Sequence, residues 1–230
     1  MKQIISSALI AVGIIVMGLF IYCGFESFAN KDRKVYVRGL AEREVPANKV
    51  TWPIAITTSG NDLQAVYKQL TANNATVLEF LKSNGIQENE ITTGAPDVWD
   101  KNAQTYSPDV PYRFRVSQVL TVTSENVDKV NELILRQGEL LNLGIPLSTD
   151  YMYRTSYEYT LLNDIKPEMI AEATKNAREA AQKFADDSNS EIGGIYQAEQ
   201  GLFSISDRDS YTPWIKNVRV VTSVSFTLKD

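Results

Sequence analysis

The chain has 230 residues, 43% of them hydrophobic and 10% aromatic, with a net charge of −5; this is the composition of a globular protein that can bury a core, not of a disordered chain. No basic cluster follows Lys34, which argues against nucleic acid as a partner, because a phosphate backbone needs a positive footprint. Histidine is absent and Cys23 is the single cysteine, so Ser-His-Asp, Cys-His and histidine-zinc chemistries are removed, together with any intramolecular disulfide.

The chain opens with an apolar run over residues 4–22, charge-free until Glu26. A helix of about 20 residues rising ~1.5 Å each spans a hydrocarbon core of ~30 Å. Two readings stay open: a retained transmembrane anchor with the body outside, or a signal peptide cut after Ala29, where Ser27-Phe28-Ala29 offers the small residues a signal peptidase inspects. Leu19-Phe20-Ile21-Tyr22 lacks the small residue expected before a lipidated cysteine, which argues against a lipoprotein at Cys23. The expected organisation is a signal or anchor helix over residues 1–29 and a folded domain over residues 34–230.

Within that domain the patterning predicts a strand from Lys34 to Glu44, interrupted at Gly39 by a bulge or close approach. A second strand, Val50 to Thr58, follows the Pro46-Ala47-Asn48 turn. A helix from Asn61 or Asp62 to Ser83 carries Leu63, Val66, Tyr67, Leu70, Val77, Leu78 and Leu81 at helical spacing and ends at Asn84-Gly85. Asn74 falls on this stripe and is expected to be a buried amide bonded to neighbouring backbone. A short strand over Glu90 to Val98 and a longer one over Tyr112 to Thr123 come next, the latter with Tyr112, Phe114, Val116, Gln118, Leu120 and Val122 on one face. Ser124 caps a second helix with Val127, Val130, Leu133, Ile134 and Leu141 in phase, ending at Gly144-Ile145-Pro146.

From Leu147 a strand is expected to place Tyr151, Tyr153, Tyr157 and Tyr159 at even offsets, four phenols on one side. The longest helix starts near Asp164, with Pro167 in its first turn, and faces inward through Ile165, Met169, Ala173, Ala177, Ala180 and Phe184, with Ala181 and Ala185 nearby. Strands at Ile192 to Gln200 and Val218 to Leu228 close the chain. The fold class is α+β: a largely antiparallel sheet, or sheets, with three helices packed on one face. A strand–helix–strand order recurs at 50–95 and 147–199 and admits a duplicated unit.

Sites are sparse. Asp207 and Asp209 lack the rest of a calcium loop, and no phosphate loop or serine elbow is present, so no catalytic residue, cofactor or metal ligand is assigned. The candidates for ligand or subunit contact are aromatic: Tyr151, Tyr153, Tyr157 and Tyr159, with Trp99 and Trp214 in polar loops that also carry Tyr106 and Tyr211.

Val37-Arg38-Gly39 with Glu42 and Pro46, Asn84-Gly85-Ile86 leading to Glu90-Ile91-Thr92-Thr93, Tyr112 with Val127-Asp128-Lys129-Val130, and Ala177-Arg178-Glu179-Ala180-Ala181-Gln182-Lys183-Phe184-Ala185 together resemble the SIMPL domain family over about Lys34 to Asp230. The resemblance implies a bacterial periplasmic or cell-surface protein, associated with oxidative-stress tolerance, without established catalytic residues and with relatives that form large homo-oligomers. The matching residues are those a fold needs: Gly39 and Gly85 for backbone conformation, Ile86, Ile91 and Val130 for the core, and the alanines of 173–185 for close packing.

The expectation is therefore a non-enzymatic cell-envelope protein. It sits in the inner membrane through residues 4–22 with its domain in the periplasm, or is periplasmic or secreted if cleaved. It acts by self-association as a homo-oligomer or by binding a partner, and has no cofactor. The alternative is a periplasmic module that binds a small ligand or peptide in a pocket near the tyrosine strand.

Overall fold

The structure is a computed structural model and describes residues 12–22, 24, 33–103, 109, 111–148 and 150–229. Residues 12–22 are helical and their apolar side chains are exposed. Among the described residues no helix is long and apolar enough to cross a membrane. The rest of the 4–22 run, Cys23, the Ser27-Phe28-Ala29 site and Tyr106 lie outside the described residues.

The body is α+β. Its strands are β1 (Lys34–Pro46), β2 (Lys49–Gly60), β3 (Ile91–Thr93), β4 (Asp97–Asp100), β5 (Phe114–Ser124), β6 (Ser156–Glu158), β7 (Glu191–Gln200), β8 (Ser204–Asp207) and β9 (Ile215–Lys229). Its helices are α1 (Leu63–Ser83), α2 (Val127–Leu135), α3 (Gly138–Asn142) and α4 (Leu162–Asp187). They form two compact units: Met1–Arg43, Asn163–Ile205 and Val218–Asp230 in one, Glu44–Leu162 and Ser206–Asn217 in the other.

In the second unit a five-stranded sheet runs β3-β5-β2-β6, with β4 also on β5. β2 pairs antiparallel with β5 from Val50↔Ser124 to Gly60↔Phe114. Alternation puts Val50, Trp52, Ile54 and Ile56 of β2 beside Val116, Leu120 and Val122 of β5 on one buried face. Onto that face α1 lays Val66, Leu70, Val77, Phe80 and Leu81, α2 lays Val127, Val130 and Leu133, and α3 adds Leu140. Asp62 caps α1 by accepting from the N–H groups of Gln64 and Ala65, and Gly85 leaves it at φ +81°, a conformation in which a β-carbon is strained.

In the first unit β9 lies between β1 and β7, and β8 also pairs with β9. Leu228 N–H donates to Arg33 O at one end and Arg219 meets Glu42 at the other, so β1 and β9 are antiparallel. Met169, Ala173, Ala177, Ala181 and Ala185 of α4 are wholly buried at steps of four. Ala177 and Ala181 share a core with Val37, Val224 and Phe226.

The two units repeat one topology. A long strand, a long helix, an edge strand and a central strand occur as β2-α1-β3-β5, with sheet order β3-β5-β2, and as β1-α4-β7-β9, with sheet order β7-β9-β1. The duplicated order expected at 147–199 thus takes its first strand from β1, far upstream of the helix.

Several expectations are corrected. Four helices follow residue 34 among the described residues, not three, because the helix expected after Ser124 breaks at Arg136. There Arg136 N–H is shared by Glu132 O and Leu133 O, and Gln137 N–H turns back to Ile134 O, tightening the chain. The phase slips by one residue, so Leu140 is buried and Leu141 is 56% exposed. Asn126, not Ser124, is the N-cap; Ser124 Oγ accepts the N–H of Asn126. The strand expected over Glu90 to Val98 is two, β3 and β4. On α4, Phe184 is 60% exposed, since packing follows the four-residue step of the alanines. On β1, Gly39 does not interrupt the alternation: it belongs to the buried face and Leu40 faces outward.

Candidate functional site

The expected tyrosine ladder does not form. Asp150 accepts the N–H of Met152 and caps a 3-10 turn over Tyr151–Tyr153, and the strand that follows, β6, is three residues long. An Asp whose carboxylate bonds the backbone two residues on favours a turn over an extended chain, so the even offsets lose their meaning. The side chain of Tyr151 lies outside the described residues, and Tyr159 is half-buried just beyond β6.

Tyr157 and Trp214 do meet. β6 places Tyr157 opposite Val50, and Asn48 holds the end of the segment by donating to Thr160 Oγ1 and accepting Thr160 N–H, both at 2.7 Å. The Tyr157 hydroxyl donates to Asn131 Oδ1 on α2, and its ring meets Trp214 edge-on with centroids 6.2 Å apart. Burial pushes the phenol above its ordinary pKa. This pair is a joint of the fold.

Trp99 and Tyr153 line one cavity elsewhere. Trp99 lies opposite Arg115 in the β4–β5 pair, next to buried Val116, and so occupies the sheet face away from the helices. The Arg115 guanidinium sits 5.6 Å from the centre of its ring. Asp97, Trp99, Arg115, Ser117 and Tyr153 line a cavity of about 200 Å³ on that open face. A larger open cleft, about 780 Å³, lies on the helix side where β2 runs into α1, between Thr57, Asn61, Gln69, Asn73, Tyr112 and Pro146. Sequence reasoning marked Asn74 on this helix but not Asn73.

Asn74 Nδ2 donates to Gln118 Oε1, and Gln118 Nε2 donates to Gly94 O, so the expected backbone partner is replaced by a side chain on β5. Asn74 Oδ1 is buried without a partner among the described residues.

The first unit presents an edge. Among the described residues β7 pairs on one side only, with β9, through register shifts at Ile192/Ile195 and Ile195/Gln197. Ile195 and Tyr196 are more than half exposed, Leu202 is 95% exposed and Ile205 is 40% exposed; Lys34 Nζ lies 3.7 Å from the centre of the Tyr196 ring.

The shifted acids have structural causes. The Thr212 hydroxyl, Arg208 and the N–H groups of Tyr211 and Thr212 hold the Asp209 carboxyl far below the usual range. Arg113 lowers Asp100 and Arg136 lowers Glu139. Among the described residues no group of three or more Asp, Glu, His or Cys side chains is placed to hold a metal ion.

The SIMPL family model, described as a protein of unknown function (DUF541), matches residues 35–228. No curated protein matches the chain. That match takes in every strand of both sheets apart from the outermost residues of β1 and β9, and on it the chain belongs to the SIMPL family.

Proposed function

We propose that this SIMPL protein is a non-enzymatic component of the bacterial cell envelope that acts by self-association through the β7–β8 edge. The observation that supports it most directly is the run of exposed apolar side chains at Ile195, Tyr196, Leu202 and Ile205 beside a strand paired on one side. A free strand edge offers unpaired N–H and C=O groups to another chain, and apolar neighbours make the contact worth forming. The apolar run 4–22 supports delivery to the inner membrane with the domain in the periplasm. The absence of histidine and the structural causes of the shifted carboxylates support binding over catalysis. A contribution to envelope or oxidative-stress tolerance agrees with the family resemblance.

Sedimentation velocity of the full chain in detergent tests this reading. The expected result is an assembly larger than one chain per micelle, which Ile195→Lys with Leu202→Lys returns to a single chain. One chain per micelle for the unaltered protein would sink the reading.

A further inference from the structure

The cleft between the end of β2 and the first turns of α1 has a chemistry that its place in the core does not explain. Asn73 is 93% buried by its 7% exposure, one turn from Leu70 and one from Val77, both wholly buried. An amide at such a position disfavours the helix interior and must be hydrogen-bonded to offset its lost hydration. Its Oδ1 accepts from Gln69 Nε2 at 2.9 Å, whereas its NH2 group has no partner among the described residues and the residue lines the cleft. The NH2 nitrogen is not sealed from solvent, so the folded chain keeps an unpartnered donor open to a concavity of about 780 Å³, within the ~300–1,000 Å³ of small-molecule clefts.

The other polar groups complete a pattern. Asn61 Oδ1 is taken by Arg113 N–H, which leaves its NH2 group to donate. Gln69 gives one N–H of its amide to Asn73, which leaves the other N–H to donate and its carbonyl to accept. The Thr57 and Ser59 hydroxyls do both. Tyr112 is 49% exposed and offers a flat ring, with Val66 and Pro146 among the apolar lining. Among the described residues no Lys or Arg lines the cleft, and the one charge on its lining is the carboxylate of Asp62, half of which is committed to the α1 cap.

An anion would find a carboxylate and no cation, and a cation would find one exposed carboxylate in an otherwise neutral setting. An apolar ligand would strand the Asn73 donor. Alternating neutral donors and acceptors beside an aromatic face match a ring that carries hydroxyls on its rim and C–H groups on its flat sides. We infer that this cleft is a binding site for a neutral sugar or short glycan, with Asn73, Asn61 and Gln69 bonding its hydroxyls and Tyr112 stacking on its ring. The site lies within one unit and stands whether or not the β7–β8 edge self-associates.

Saturation-transfer NMR on the full chain, in a detergent without a sugar headgroup, tests it with glucose, N-acetylglucosamine and their β-linked tetramers as probes. Transfer to sugar ring protons is expected, with affinity reduced about tenfold by Tyr112→Ala, the loss of one stacking contact. Asn73→Leu is expected to lose binding while keeping or raising the melting temperature, an outcome a purely structural amide would not produce. Tyr196→Ala, in the other unit, leaves binding unchanged. No transfer to any of the sugars, transfer untouched by Tyr112→Ala and Asn73→Leu, or equal transfer from triglycine would overturn the assignment, as would tighter binding of inorganic phosphate by titration calorimetry.

Discussion

Gly39 of β1 and Ala173 of α4 touch backbone to backbone: a β-carbon at position 39 would stand 1.8 Å from the Ala173 carbonyl oxygen and 2.4 Å from the Ala177 nitrogen. The neighbouring Asn176 side chain donates to Leu40 O at 2.7 Å, fixing helix and strand at this separation. The requirement for glycine here is room for the helix, whereas at Gly85 it is a positive φ.

Gly39→Ala should therefore destabilise the protein by about 3 kcal/mol or more, at the upper end of overpacking costs, because both obstructing atoms are main chain. Thermal unfolding of the full chain is the check. An unchanged melting temperature would mean that α4 does not lie where the contact places it.

The Asn74–Gln118 pair predicts a non-additive cycle. Gln118→Leu leaves the Asn74 amide buried without its acceptor and should cost ~1–3 kcal/mol. Asn74→Leu with Gln118→Leu removes both polar partners from an apolar stripe and should recover most of that loss, since Gly94 O is exposed to water. Denaturant midpoints of the two single variants and the double variant measure the coupling; additive losses would show that the pair does not interact.

Tyr157 predicts alkaline sensitivity. Burial favours its neutral form and raises its folded pKa above the ordinary value of 10.0. The associated stability is fully present below the unfolded pKa and is lost as pH climbs through the folded one, because the unfolded chain then binds fewer protons than the native one. Absorbance titration at alkaline pH should show one phenol ionising later than the others, and Tyr157→Phe should remove that late step. The same variant should cost about 1 kcal/mol at neutral pH through the lost bond to Asn131. A titration identical with and without Tyr157 would contradict the burial of its phenol.

Much of this fold is legible in the chain wherever one residue type answers to one local rule. Asp62 and Gly85 mark the ends of α1 because capping and positive φ are local needs, and the β-branched alternation of β2, β5 and β9 reads directly as strands. Tyr151 to Tyr159 mislead for a related reason: even spacing predicts a shared face only while the chain stays extended, and the Asp150 side chain ends that extension. Leu140 and Leu141 exchange roles because one shared hydrogen bond at Arg136 shifts the helical phase. Asn73 is invisible as a site because its neighbour Asn74 carries the same chemistry on the same stripe, and only packing separates the amide bonded to β5 from the one left facing a cleft.

What the amino-acid order determined by itself is the class of the protein: an apolar start, a histidine-free α+β body, the register-ready strands and the family to which they belong, all consequences of side-chain polarity read against the periods of helix and strand. Tertiary structure alone decided that β1, not the tyrosine segment, leads the second copy of the repeat, that Tyr157 meets Trp214 while Trp99 and Tyr153 line one cavity, and that β7 is an edge among the described residues. Those outcomes depend on which distant segments share a sheet, and pairing energy between residues far apart in the chain leaves no periodic mark within any one of them.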